Sequence, residues 1–169
     1  DFNEDGWPDI YVANDFIQPD QLYINNKDGS FTDKVLTTFD HISYNSMGSD
    51  YEDINNDLLP DLVVLDMLAD DHQRSKENMA TMDSRGFQYM VDSDYHYPYM
   101  ANMLQLNQGK GNFDEIGQLA SISKTDWSWA PLIADFDNDG HKDLFISNGI
   151  EKDLGNQDFR TNLRSTVQA

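Results

Sequence analysis

Asp135-Phe-Asp-Asn-Asp-Gly-His-Lys-Asp143 decides the reading of this chain, because its pattern occurs three times. The earlier copies are Asp1-Phe-Asn-Glu-Asp-Gly-Trp-Pro-Asp9 and Asp53-Ile-Asn-Asn-Asp-Leu-Leu-Pro-Asp61. Oxygen-bearing side chains hold positions 1, 3, 5 and 9 each time. An apolar run follows each copy: Ile10-Tyr-Val12, Leu62-Val-Val64 and Leu144-Phe-Ile146. Residues of that kind favour strand over helix.

A second element repeats between the acidic segments. Leu22-Tyr-Ile-Asn-Asn-Lys-Asp-Gly-Ser-Phe31 matches Leu104-Gln-Leu-Asn-Gln-Gly-Lys-Gly-Asn-Phe113. Both read as strand, glycine turn, strand. Phe31 to Asp53 and Phe113 to Asp135 are each 22 residues, so the intervals agree without a gap. Asp9 to Leu22 is 13 residues, whereas Asp61 to Leu104 is 43. The extra 30 place one insertion at about Ala69 to Tyr99. Without it the period is about 50 residues, in the range of propeller blades.

Each repeat then holds four strands. One enters the acidic loop (Ser46–Glu52, Pro131–Phe136) and one leaves it (Asp9–Asn14, Asp61–Asp66, Asp143–Ser147). A third (Gln21–Asn25, Met103–Asn107) turns into a fourth (Ser30–Val35, Asn112–Ile116). The expected fold is all-β. It is a partial β-propeller of four-stranded antiparallel blades, with calcium-binding loops and one mostly helical or irregular insertion. Blades occupy 1–149: a partial blade at 1–45, a full one at 46–125 with the insertion at about 69–99, and a partial one at 126–149. Residues 150–169 are polar, lose the pattern and read as a connection or tail.

Alternating oxygens on a tight loop surround one point. A hard cation such as Ca²⁺ takes six to eight oxygens at about 2.3–2.6 Å. The expected ligands are Asp1, Asn3, Asp5 and Asp9 with the Trp7 carbonyl. In the second loop they are Asp53, Asn55, Asp57 and Asp61 with the carbonyl of Leu59. The third uses Asp135, Asp137, Asp139 and Asp143 with the carbonyl of His141. An EF-hand needs a bidentate Glu at position 12 and a following helix. Position 12 here is Val12, Val64 and Ile146, inside strand-forming runs. A thrombospondin-type loop needs cysteine, and the chain has none. Gly6 and Gly140 suit a positive-φ turn, but Leu58 replaces the glycine in loop two, which predicts a weaker site. The third loop carries four carboxylates and should bind best. Clustered carboxylates repel without a cation. Up to three structural Ca²⁺ ions are therefore expected to contribute to folding.

Together these segments resemble FG-GAP repeats, also called VCBS-type repeats, known from integrin α subunits and bacterial surface proteins. The finer pattern is similar to the cartilage acidic protein and ASPIC/UnbV group. Residues 22–33, Ser46-Met-Gly48 and Trp127-Ser-Trp-Ala-Pro-Leu-Ile-Ala-Asp-Phe-Asp137 carry that likeness. The resemblance implies calcium ligation by the loop positions named above. It also implies an extracellular or cell-surface protein, outer-membrane associated in a Gram-negative bacterium. Such arrays close into a ring of about seven blades. Fewer than three blades cannot close, which implies a fragment of a larger array.

Charge narrows the partners. The chain has 169 residues and a net charge of −20. That opposes binding to nucleic acid phosphates and to anionic lipid. No apolar run is long enough to span a membrane. The insertion concentrates methionine and aromatic residues, including Phe87, Tyr89, Met90, Tyr95, Tyr97, Tyr99 and Met100. It reads first as packing over its own blade and second as an adaptable binding surface. A helix is expected at Ser75–Met82, capped by Ser75 and broken at Gly86. Trp127 and Trp129 read as blade-interface packing, and no histidine sits in a metal-ligand pair. The expected function is a non-enzymatic, calcium-stabilised segment for adhesion or protein assembly. Its partners are other blades of the same protein or another protein chain. The alternative is a glycan-binding or polysaccharide-degrading (lyase or hydrolase) propeller. Open strand edges predict order only beside further blades, a second copy or a partner.

Overall fold

The computed structural model describes residues 1–15, 18–77, 84–149, 156, 158–159 and 161. It is mostly β, with three antiparallel sheets and one short parallel pair, Ile42–Ser43 with Pro98–Tyr99. The first sheet is β1 (Ile10–Val12), β2 (Gln21–Asn25) and β3 (Phe31–Asp33), in that order. Helix α1 (Val35–Thr38) and β4 (Ile42–Ser43) lead to β5 (Gly48–Glu52) and β6 (Asp61–Leu65). Then come α2 (His72–Glu77), α3 (Ser84–Asp92) and β7 (Pro98–Tyr99). Strands β8 (Met103–Gly109) and β9 (Asn112–Glu115) complete a second sheet, ordered β5-β6-β8-β9. Finally, β10 (Ser128–Ala134) and β11 (Asp143–Asn148) pair alone.

The repeat arithmetic is visible in the registers. Tyr23 opposes Ile10 in the first sheet, and Gln105 opposes Leu62 in the second. These are equivalent pairs. The second sheet adds β5 outside β6, where β1 has no neighbour among the described residues.

Strand β6 is buried along its whole length, and its period of two divides it between two cores. Leu62 and Val64 join Phe2, Leu22, Phe39, Met103 and Phe113 against the first sheet. Val63 and Leu65 join Leu104 and Ile133 against the third. The three antiparallel sheets therefore pack face to face in chain order, which explains why β6 reads as a continuous apolar run. Gly48 permits the closest approach: a Cβ there would lie 2.3 Å from the Trp129 carbonyl oxygen. Asp50 ties the same faces, its Oδ2 accepting the Ile133 amide at 2.7 Å.

Buried polar residues lock the ends of the strands opposite the acidic loops. In the first repeat the Asn14 amide donates to Asp20 Oδ1 at 2.8 Å. In the second, the equivalent Asp66 amide donates to Asn102 Oδ1 at 2.7 Å. Acid and amide have changed places. Asp20 also accepts from Tyr11 Oη and Ser46 Oγ, and Asp66 from Ser43 Oγ. Burial pushes the Asp20 carboxyl up to about 6, against the lowering effect of these hydrogen bonds, and burial raises Asp66 as well.

Some sequence expectations need correction. The expected strand Ser30–Val35 stops at Asp33, because Asp33 Oδ1 accepts the Val35 amide and starts α1. The incoming third strand begins at Ser128 rather than Pro131. Pro131 is tolerated because β10 is an edge strand. A register shift at Trp129 interrupts simple alternation there. Helix α2 starts at His72, with Asp71 Oδ1 accepting the Arg74 amide. Ser75 lies inside the helix and donates to the His72 carbonyl, so it is not the cap. The rest of that expected helix lies outside the described residues. Gly86 sits within α3 and does not break it. Most of 150–169 also lies outside the described residues.

Candidate metal centre

The three acidic segments fold alike. Position 1 caps its own loop through both carboxylate oxygens. Asp1 accepts the Asp5 and Gly6 amides at 2.9 and 2.7 Å. Asp53 accepts those of Asp57 and Leu58 at 3.1 and 2.8 Å. Asp135 accepts those of Asp139 and Gly140 at 3.1 and 3.0 Å. Position 3 accepts the position-5 amide in every loop, through Asn3, Asn55 and Asp137. Position 5 accepts the position-7 amide, from Trp7, Leu59 and His141.

Position 9 anchors the loop to the sheet. Asp9, Asp61 and Asp143 each accept the position-2 amide, from Phe2, Ile54 and Phe136. The other oxygen of Asp9 accepts the Asn25 amide, and that of Asp61 the Asn107 amide, both at 2.8 Å. The loop is thus fastened to the third strand of its own repeat. Burial raises the Asp61 carboxyl, and the charges of Asp57 and Asp53 push the same way against the hydrogen bonds from Asn107 and Ile54.

The turn survives the missing glycine. Leu58 adopts φ +72°, close to Gly6 at +84° and Gly140 at +89°. It does so at a steric cost, with its side chain 88 % exposed.

Loop three gathers its acids most tightly. One carboxylate oxygen from each of Asp135, Asp137 and Asp143 lies within 4.8 Å of the others. Asp139 stands outside that group. In loops one and two the equivalent of Asp137 is an asparagine, and its Nδ2 donates to the position-5 carboxylate. Loop one also holds its own cation, with Lys27 Nζ 3.2 Å from Asp5 Oδ2. All the donors are oxygens, which is the chemistry of a hard cation rather than of zinc.

Two positions escaped the sequence reading. Position 2 is apolar in every copy. Phe2 is buried and stacks on Tyr51 with centroids 4.2 Å apart, and Ile54 packs against the second core. Position 4 adopts a left-handed backbone each time: Glu4 at φ +60°, Asn56 at +63° and Asn138 at +62°. In the first two loops its side chain reaches the next repeat. Glu4 Oε1 accepts the Lys110 amide at 2.7 Å, and Asn56 Nδ2 donates to the Gly140 carbonyl at 2.9 Å. An apolar residue set between two oxygen-bearing side chains in every copy was the available signal for position 2. Asn and Glu look like ordinary loop residues, so position 4 carried none.

A family model described as an FG-GAP-like repeat matches residues 1–64 and 89–146. The unmatched stretch between them, 65–88, contains α2 and overlaps the insertion expected at about 69–99, whose last residues the family model matches. No curated protein and no solved structure matches the chain.

Proposed function

The chain belongs to the FG-GAP-like repeat family, and on that premise we propose that it is a calcium-stabilised β-propeller segment that mediates protein assembly at the cell surface. Repeats of this family are typically non-enzymatic and occur in extracellular or surface proteins. One observation carries the calcium reading: three loops repeat the same hydrogen bonds, and in the third one carboxylate oxygen from each of Asp135, Asp137 and Asp143 converges on one point. Asp1, Asn3, Asp5 and Asp9 with the Trp7 carbonyl would hold the first ion. Asp53, Asn55, Asp57 and Asp61 with the Leu59 carbonyl would hold the second. Asp135, Asp137, Asp139 and Asp143 with the His141 carbonyl would hold the third. When bound, the ion supplies charge neutralisation and rigidity, not reaction chemistry.

The propeller reading rests on three successive antiparallel sheets stacked face to face in chain order. Strands β1 and β11 lack the neighbours that β6 has on both sides among the described residues. Such edges favour pairing with further blades or another chain. No helix among the described residues is long and apolar enough to cross a membrane. The Trp129 indole lies against Gly149 and the residue is 42 % exposed, outside both inter-sheet cores, so its side chain does not provide the blade-interface packing expected from the sequence.

Thermal unfolding with Ca²⁺ or chelator tests the reading. Calcium should raise Tm, Mg²⁺ should not, and calorimetric titration should resolve two or three sites. A melting curve indifferent to Ca²⁺ would overturn the proposal and leave the loops as acidic turns.

A further inference from the structure

We propose that position 4 of each acidic loop couples the cation sites of successive repeats, so that calcium fills the array cooperatively; this rests on the calcium reading above. The coupling runs through named bonds. Asn56 stands between Asn55 and Asp57, two ligands of loop two. Its Nδ2 donates to the Gly140 carbonyl at 2.9 Å. That carbonyl belongs to the peptide whose nitrogen, the His141 amide, donates to Asp139 Oδ1 at 2.8 Å. One peptide plane therefore joins Asn56 of loop two to a ligand of loop three.

The first junction uses the same position by another route. Glu4 stands between Asn3 and Asp5 and accepts the Lys110 amide in the β8–β9 turn. In that turn the Gly109 amide donates to Asn107 Oδ1, and the Asn107 amide donates to Asp61, a ligand of loop two. Each of the first two loops thus holds something that holds a ligand of the next.

Position 4 is suited to this. Its left-handed backbone is stabilised only while the loop keeps its turn. A cation that fixes the turn fixes the side chain, and with it the neighbouring repeat. The second cation then meets a loop already ordered, which is positive cooperativity without a large change of shape. Coupling of this kind is reciprocal, so filling loop three must also tighten loop two. Loop two, with Leu58 in its turn, gains most from neighbours on both sides.

Residue-resolved calcium titration of the 169-residue chain by NMR tests the idea, following the Gly6, Leu58 and Gly140 amides separately. Wild type should fill with a Hill coefficient above 1. Asn56→Gly keeps the positive φ but removes the tie. It should weaken loop three about fivefold, the lower end of typical coupling factors. Asn138→Gly, at the same position with no inter-repeat bond among the described residues, should leave loop two unchanged. Glu4→Gly should weaken loop two, and Glu4→Gln, which can still accept from Lys110, should restore it. Calcium binding that is independent in wild type and unaltered by Asn56→Gly overturns the coupling but leaves the calcium sites intact. Absence of calcium binding in wild type overturns both.

Discussion

Tyr11 Oη donates to Asp20 Oδ2 at 2.5 Å inside the junction of the first two repeats, and Ser46 Oγ of the second repeat donates to the same oxygen at 2.7 Å. A fully buried acid thus ties two sheets together. Its environment is polar enough to hold the carboxylate but dry enough to resist its charge.

That conflict gives a pH dependence. Burial raises the folded-state value of Asp20 from 3.8 to about 6. In that window the folded chain binds more protons than the unfolded chain. Asp20's contribution is therefore full below about pH 4 and is lost as pH rises through about 6. The loss at pH 7 is of the order of 3 kcal/mol, at about 1.4 kcal/mol per unit. Asp20→Asn should be stabilised relative to wild type at pH 7, and the gap should shrink towards pH 4. Urea midpoints across that range, at fixed calcium, check the sign. A gap that widens on acidification would contradict it.

Leu58→Gly should stabilise the chain by up to about 1 kcal/mol, because a left-handed residue with a Cβ costs about 1–2 kcal/mol and glycine returns part of that as unfolded-state entropy. The same change should raise calcium affinity at loop two. Equal urea midpoints for variant and wild type would show that the φ of +72° carries no strain.

Gly48→Ala should cost about 2–3 kcal/mol, the upper part of the overpacking range. The added Cβ would meet a backbone oxygen at 2.3 Å, which no rotamer change can relieve. Denaturant unfolding measures it, and near-neutrality would mean that β5 and β10 pack less closely than described.

Phe2→Ala should cost about 3–5 kcal/mol, since the ring is buried among Tyr11, Tyr51 and Phe113. Phe136→Ala, at the same loop position, should cost under about 1 kcal/mol. Its ring is 52 % exposed and no sheet covers it among the described residues. Comparable losses in the two variants would refute the assignment of position 2 to inter-repeat packing.

Much of this was legible because repetition multiplies a weak signal. A single Asp-rich turn is ambiguous, but three in register fixed the strand order, and Gln21–Asn25 came out with its bounds intact. The insertion has no second copy to check against. There, Ser75 looked like a cap by type, yet Asp71 held the amide, and Gly86 was tolerated inside α3. Glu4 and Asn56 were illegible for another reason. Their partners lie 106 and 84 residues away, beyond any local pattern.

The exchange of acid and carboxamide between Asn14–Asp20 and Asp66–Asn102 leaves the shared bond intact, because its donor is a backbone N–H in both repeats. What differs is where each buried acid finds its remaining donors. Asp20 leans on Ser46 of the following repeat, and Asp66 on Ser43 and the Tyr44 and Asn45 amides of the preceding segment. Repeats that share a fold and a loop are therefore not interchangeable parts, since a repeat moved alone would strand its buried carboxylate away from the donors its neighbour supplies.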